Sequence, residues 1–169
     1  VLLEGATDEG HGDVVITLAN TSLTTVTNDD GSFRIDDVPA GVYTLRAAKD
    51  RFDTQSVSGV VVASHPDTVV DTINLALSRG TLEGRVNLAA AESSGSVEVR
   101  LLDSPFSAIS GEAGDFRMTG IPIGEYQLQA CRMGYEPGAG QLTITAGGVT
   151  RFPADDGALE LARQQVEIS

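Results

Sequence analysis

This chain of 169 residues holds one cysteine, one lysine and two histidines. No apolar run in it approaches the ~18 residues of a membrane-spanning helix. A lone Cys131 rules out a disulfide within the chain, and its place in the alternating run Leu128-Gln129-Ala130-Cys131-Arg132 marks a structural residue. Basic residues are also scarce: Lys and Arg number 11 against 24 Asp and Glu, for a net charge of −13. A nucleic-acid backbone or an anionic lipid surface demands a basic face, so neither suits this chain as a partner. The acidic balance reads as solubility rather than as a cation site. His11 lies in a Gly-rich polar loop and His65 precedes Pro66, and neither has an evident nucleophile or metal cluster as partner. Asp36-Asp37 and Asp155-Asp156 are neighbours in sequence only, which does not set the spacing of a catalytic dyad. No catalytic residue and no cofactor is expected.

What the chain does have is repetition. Gly31-Ser32-Phe33-Arg34-Ile35 and Val38-Pro39-Ala40-Gly41-Val42-Tyr43-Thr44-Leu45 return as Gly114-Asp115-Phe116-Arg117-Met118 and Ile121-Pro122-Ile123-Gly124-Glu125-Tyr126-Gln127-Leu128. The shift is constant, since 114 − 31, 122 − 39 and 126 − 43 all give 83. Val14, Ile16 and Leu18 likewise match Val97, Val99 and Leu101, and Lys49 and Phe52 match Arg132 and Tyr135. A period this long is one small domain, so the chain reads as a tandem array of two, 1–79 and 80–169.

The ends of the repeat suggest a register. Gly80-Thr81-Leu82-Glu83-Gly84-Arg85-Val86-Asn87-Leu88 opens the second unit, and Val1-Leu2-Leu3 resembles the tail of such an opening strand, with Val1 at the place of Val86. Leu75-Ala76-Leu77-Ser78-Arg79 matches Leu159-Glu160-Leu161-Ala162-Arg163 at a shift of 84, and Val166-Glu167 then falls at the start of a third repeat. The chain is thus expected to be a cut from a longer protein, with its first strand truncated.

Period-2 alternation in Val14–Leu18, Val42–Ala47, Val97–Leu101 and Leu142–Ile144, broken by Gly, Asp, Asn and Pro, predicts an all-β sandwich for each unit. Residues 155–165 carry helix formers behind Asp155 and Asp156, but the repeat predicts a strand there, and the repeat is preferred. Thr24–Thr27 and Ser32–Ile35 flank Asn28-Asp29-Asp30-Gly31, a hairpin whose Asp-Gly step supplies positive φ. Phe33 and Ile35 should face inward, with Ser32 and Arg34 outward. Tyr43 and Tyr126 read as core residues with the hydroxyl tied to nearby backbone.

The pattern Thr-x-Asp-x-Gly-x-Phe, then Val/Ile-Pro-x-Gly-x-Tyr-x-Leu, then an aromatic, resembles the carboxypeptidase regulatory-like domain family. The resemblance covers nearly the whole chain, twice. It implies two tandem Greek-key sandwiches, transthyretin-like and Ig-like, near the collagen-adhesin B-type repeats of bacterial surface proteins. The second unit departs at the hairpin tip, where Ser110-Gly111-Glu112-Ala113-Gly114 replaces the paired Asp. The intramolecular Lys–Asn cross-link of adhesin repeats does not carry over, because Lys49 is the single lysine and lies near the end of a central strand.

Asn28, Asp29 and Asp30 are the candidate calcium ligands. Calcium takes about six to eight oxygens and this loop lacks a terminal bidentate Glu, so no metal is expected. Asn20-Thr21-Ser22 matches the N-glycosylation sequon. Phe52, Tyr135, Phe106 and Phe152 could stack on a carbohydrate. Phe52 and Tyr135 recur and so read as packing, which leaves Phe106 and Phe152 as the candidate ligand contacts. The expected role is a non-enzymatic, semi-rigid adhesive or structural spacer joined through Ser78-Arg79-Gly80. It would belong to an extracellular, cell-surface or periplasmic protein, with neighbouring domains, a surface protein or a glycan as partners. The alternatives are a carbohydrate-binding accessory module and a regulatory appendage of a secreted enzyme.

Overall fold

The computed structural model describes residues 1–8, 10–64, 67–155 and 157–164, which form fourteen strands and no helix. The chain divides into two compact units, Val1–Ser78 and Arg79–Ser169. Each has its own buried apolar cluster.

The second unit is built around β7 (Arg79–Leu88). On one edge β7 pairs antiparallel with β10 (Asp115–Pro122), from Arg85 opposite Asp115 to Arg79 opposite Pro122. On its other edge it pairs parallel with β13 (Val149–Phe152) over Thr81 to Gly84, then with β14 (Leu159–Leu161) over Val86 to Leu88. The second sheet runs in the order β12 (Gly138–Ile144), β11 (Gly124–Cys131), β8 (Glu98–Leu101), β9 (Ser107–Ile109). Inward positions alternate as the sequence demands, with Val99, Leu101, Leu128, Ala130 and Ile144 meeting Leu82, Val86 and Leu88 of β7 in one core. Leu82 is wholly buried, worth roughly 1.5–3 kcal/mol relative to exposure.

The first unit has the same central sheet, in the order β3 (Thr24–Val26), β2 (Val15–Leu18), β4 (Gly41–Ala48), β5 (Gln55–Val62). Its opening strand is short: β1 (Leu2–Leu3) pairs parallel with β6 (Asn74–Leu75) alone. The Val1 ammonium donates to the Gly31 carbonyl at 2.7 Å, as the Val86 amide donates to that of Gly114 at 2.9 Å. Val1 therefore stands where Val86 stands, and β1 corresponds to Asn87–Leu88 at the end of β7.

Two expectations need correction. The 28–31 turn is made, with Gly31 N–H donating to Asn28 and Asn28 N–H to Ser32, both at 2.8 Å. Phe33 and Ile35 pack inward while Ser32 and Arg34 are exposed. The stretch 32–38 is nevertheless no strand. Its counterpart β10 draws its ladder from Arg79–Arg85, and no described residue of the first unit pairs with 32–38 in that way. The late register also differs. Leu3 pairs with Leu75 as Leu88 pairs with Leu161, and Phe52 bridges Leu77 as Tyr135 bridges Arg163. Leu75 thus matches Leu161 and Leu77 matches Arg163, a shift of 86 rather than 84. Residues 159–161 are strand, not helix. His65, Asp156, Gln165 and the third-repeat start at Val166-Glu167 lie outside the described residues.

Candidate functional site

The polar side chains that recur between the units hold the scaffold together. Tyr43 donates to the Pro39 carbonyl at 3.0 Å and Tyr126 to that of Pro122 at 2.9 Å, closing the corner before β4 and β11. The Thr27 hydroxyl donates to the His11 carbonyl and accepts from the Val14 amide, and the Ser110 hydroxyl does the same with Ser94 and Val97. Lys49 and Arg132 cap the carbonyls of Gly12 and Gly95. His11 lies in a loop, as expected, but is buried there: its Nδ1 accepts from the Leu3 amide, the part that the Ser94 hydroxyl plays for Leu88. Among the described residues no buried side-chain polar atom lacks a partner.

The singled-out residues fall in different places. At the first hairpin tip, the Asp30 carboxylate accepts from the Ser32 amide at 2.8 Å, and Asn28 donates through Nδ2 to the Ser32 hydroxyl. Hydrogen bonds from the Ser32 hydroxyl and amide hold the exposed Asp30 carboxyl below its usual range. Asn28 and Asp30 are thus engaged in the turn beside Asp29, and no group of three His, Cys, Asp or Glu is placed to hold a metal among the described residues. Phe106 leads into β9 and Phe152 ends β13, on different sheets, and each packs partly buried against the second core. Phe106 has no aromatic counterpart, but the 83-residue shift places the apolar Leu23 opposite it. The Thr21–Leu23 and Ser104–Phe106 turns share the same hydroxyl contacts, which matches Phe106 with Leu23.

An open groove of about 600 Å³ lies in the first unit, lined among others by Phe33, Ile35, Val38, Val60, Val62 and Val70. Each of these six is only partly buried. In the second unit Phe116, Met118, Ile121, Leu142 and Ile144, the counterparts of the first five, are buried. The segment 67–70 takes the place of β13, since the Thr68 hydroxyl donates to Val61 as that of Thr150 donates to Thr143. Across the groove mouth Arg34 Nη1 reaches Asp67 Oδ2 at 3.2 Å. Its counterpart Arg117 instead pairs at 3.0 Å with Glu83, on β7 itself.

Two Greek-key β-sandwiches in tandem, each with its hydroxyl-tied tyrosine, define the class. Residues 3–76, within the first unit, match the model of the carboxypeptidase regulatory-like domain. No curated protein sequence matches the chain. Among solved structures it is similar to the Bacillus anthracis TIE protein, with TM-score 0.60 and 14% identity over 96% of this chain and 32% of that one. It is also similar to a minor pilin of Streptococcus agalactiae, with TM-score 0.43 and 14% identity over 99% and 96% of the two chains. A cohesin–X-dockerin complex of Acetivibrio cellulolyticus gives TM-score 0.43 and 14% identity over 50% and 58%. The chain spans about a third of the length of the Bacillus protein. At such identities the likeness concerns the fold. No helix among the described residues is long and apolar enough to cross a membrane.

Proposed function

We propose that this chain is a non-enzymatic structural or adhesive spacer module of a larger extracellular, cell-surface or periplasmic protein. One observation carries the reading: what the two units repeat is scaffold. The tyrosine corners, the Thr27 and Ser110 hydroxyl bridges and the Lys49 and Arg132 caps recur residue for residue. A repeated scaffold with its own core in each unit suits a role of spacing and load-bearing, in which neighbouring domains of the same parent protein are the first partners.

Pulling single molecules of the chain between two handles tests this. Two separate unfolding events are expected, one per unit. Saturable binding on a glycan panel, lost in Phe106→Ala or Phe152→Ala, would overturn it in favour of a carbohydrate-binding module.

A further inference from the structure

We propose that His11 is an acid-sensitive latch on β1: when the imidazole takes up a proton it releases the Leu3 amide and frees one edge of the strand. The bond runs in one direction. Leu3 N–H donates and Nδ1 accepts at 3.0 Å, between residues only 5% and 7% exposed. A ring nitrogen accepts only while it carries no proton, and the imidazolium presents N–H at both nitrogens. A protonated ring in this position would set donor against donor in a buried place, where an unmade hydrogen bond is most costly. The closed form thus excludes the proton that the open form accepts, and acid favours opening. In the second unit the Ser94 hydroxyl takes the Leu88 amide at 3.1 Å. A serine does not titrate, so the sensitivity belongs to the first unit.

The surroundings decide what moves. His11 is fixed through its backbone, with its N–H on the Asp29 carbonyl at 2.9 Å and its own carbonyl under the Thr27 hydroxyl at 2.7 Å. On its far edge β1 is held by the Leu2 and Glu4 amides, which donate to the Ile73 and Leu75 carbonyls. The loss falls between these two anchors, at the Leu3 amide. Leu3 also belongs to the buried cluster of the first unit, so a loosened latch reaches the core. The charged groups on the elements packed around His11 are Asp8 and Asp13 of its own loop, Asp29 and Asp30 of the turn, Glu4 and the Val1 ammonium beside β1, and Lys49 just past β4. Among the described residues none of these bonds to the imidazole, and the five carboxylates are exposed and screened by water. The buried Leu3 bond therefore sets the response.

Amide hydrogen exchange in the full chain tests the latch. The protection factor of the Leu3 amide is read at pH 7.5 and 5.5, with the Leu88 amide as internal reference. A free histidine takes its proton near pH ~6.5, while free carboxylates stay ionised across this window. Leu3 protection is expected to fall about tenfold at the lower pH, and Leu88 protection to hold. His11→Asn and His11→Ser supply acceptors that do not titrate, and Leu3 protection in either should be equal at the two pH values. Unchanged Leu3 protection in the parent chain overturns the latch. So does a fall that persists in both variants, which would assign the sensitivity to another group such as His65. Imidazole nitrogen resonances of the parent chain give a check that needs no variant: protonation of His11 with Leu3 still protected also overturns the proposal.

Discussion

Nδ1 of His11 accepts the amide hydrogen of Leu3 at 3.0 Å, a buried bond that fixes the start of the first unit. In the second unit the Ser94 hydroxyl takes the Leu88 amide at 3.1 Å. His11→Leu leaves the Leu3 amide buried without an acceptor and should cost about 1–3 kcal/mol in urea unfolding of the first unit. His11→Ser, which restores an acceptor of the second unit's kind, should cost less. Equal stability of His11→Leu and the parent would show that the bond contributes nothing.

Tyr43 and Tyr126 make the same bond in different surroundings, exposed for Tyr43 and half-buried for Tyr126. Replacement by Phe should destabilise each unit by about 0.5–1.5 kcal/mol, with the larger loss for Tyr126→Phe because water replaces its partner less readily. Separate chemical denaturation of the two variants gives the order, and the reverse order would contradict it.

Phe33 and Phe116 are counterparts with unequal cover. Phe116 is 5% exposed within the second core, so Phe116→Ala should cost about 3–5 kcal/mol. Phe33 lines the open groove and is only partly buried, so Phe33→Ala should cost clearly less. Calorimetry that follows each unit's transition decides the comparison.

Asp30 sets a pH dependence. Its folded carboxyl titrates below the usual range because Ser32 donates to it. Such a contact is fully stabilising above the unfolded value of about 3.9 and is lost as pH falls through the lower folded value. Ser32→Ala should therefore raise the Asp30 midpoint toward the ordinary range in an NMR titration. An unmoved midpoint would mean that the Ser32 hydroxyl is not the cause.

Much of the scaffold is legible in the chain. The 83-residue spacing carries the tyrosine corners, the Lys49 and Arg132 positions and the inward faces of β2 and β8, because these depend on alternation and on fixed short turns. The late register is not legible that way. Seven residues separate Thr68 from Leu75 but eleven separate Thr150 from Leu161, and Leu159–Leu161 shows the same Leu-x-Leu pattern as Leu75–Leu77. Matching by pattern alone slides by two. His11 stays hidden for a different reason: its counterpart is a serine, and an imidazole nitrogen and a hydroxyl share only their ability to accept. The groove could not be read either, since alternation says that Phe33, Ile35 and Val38 turn inward but not what covers them.

The two apolar clusters share no residue. A substitution within one cluster removes no side chain from the other, so each core is specified by its own unit's residues. A unit added to or removed from such an array leaves every remaining core with its full set of side chains.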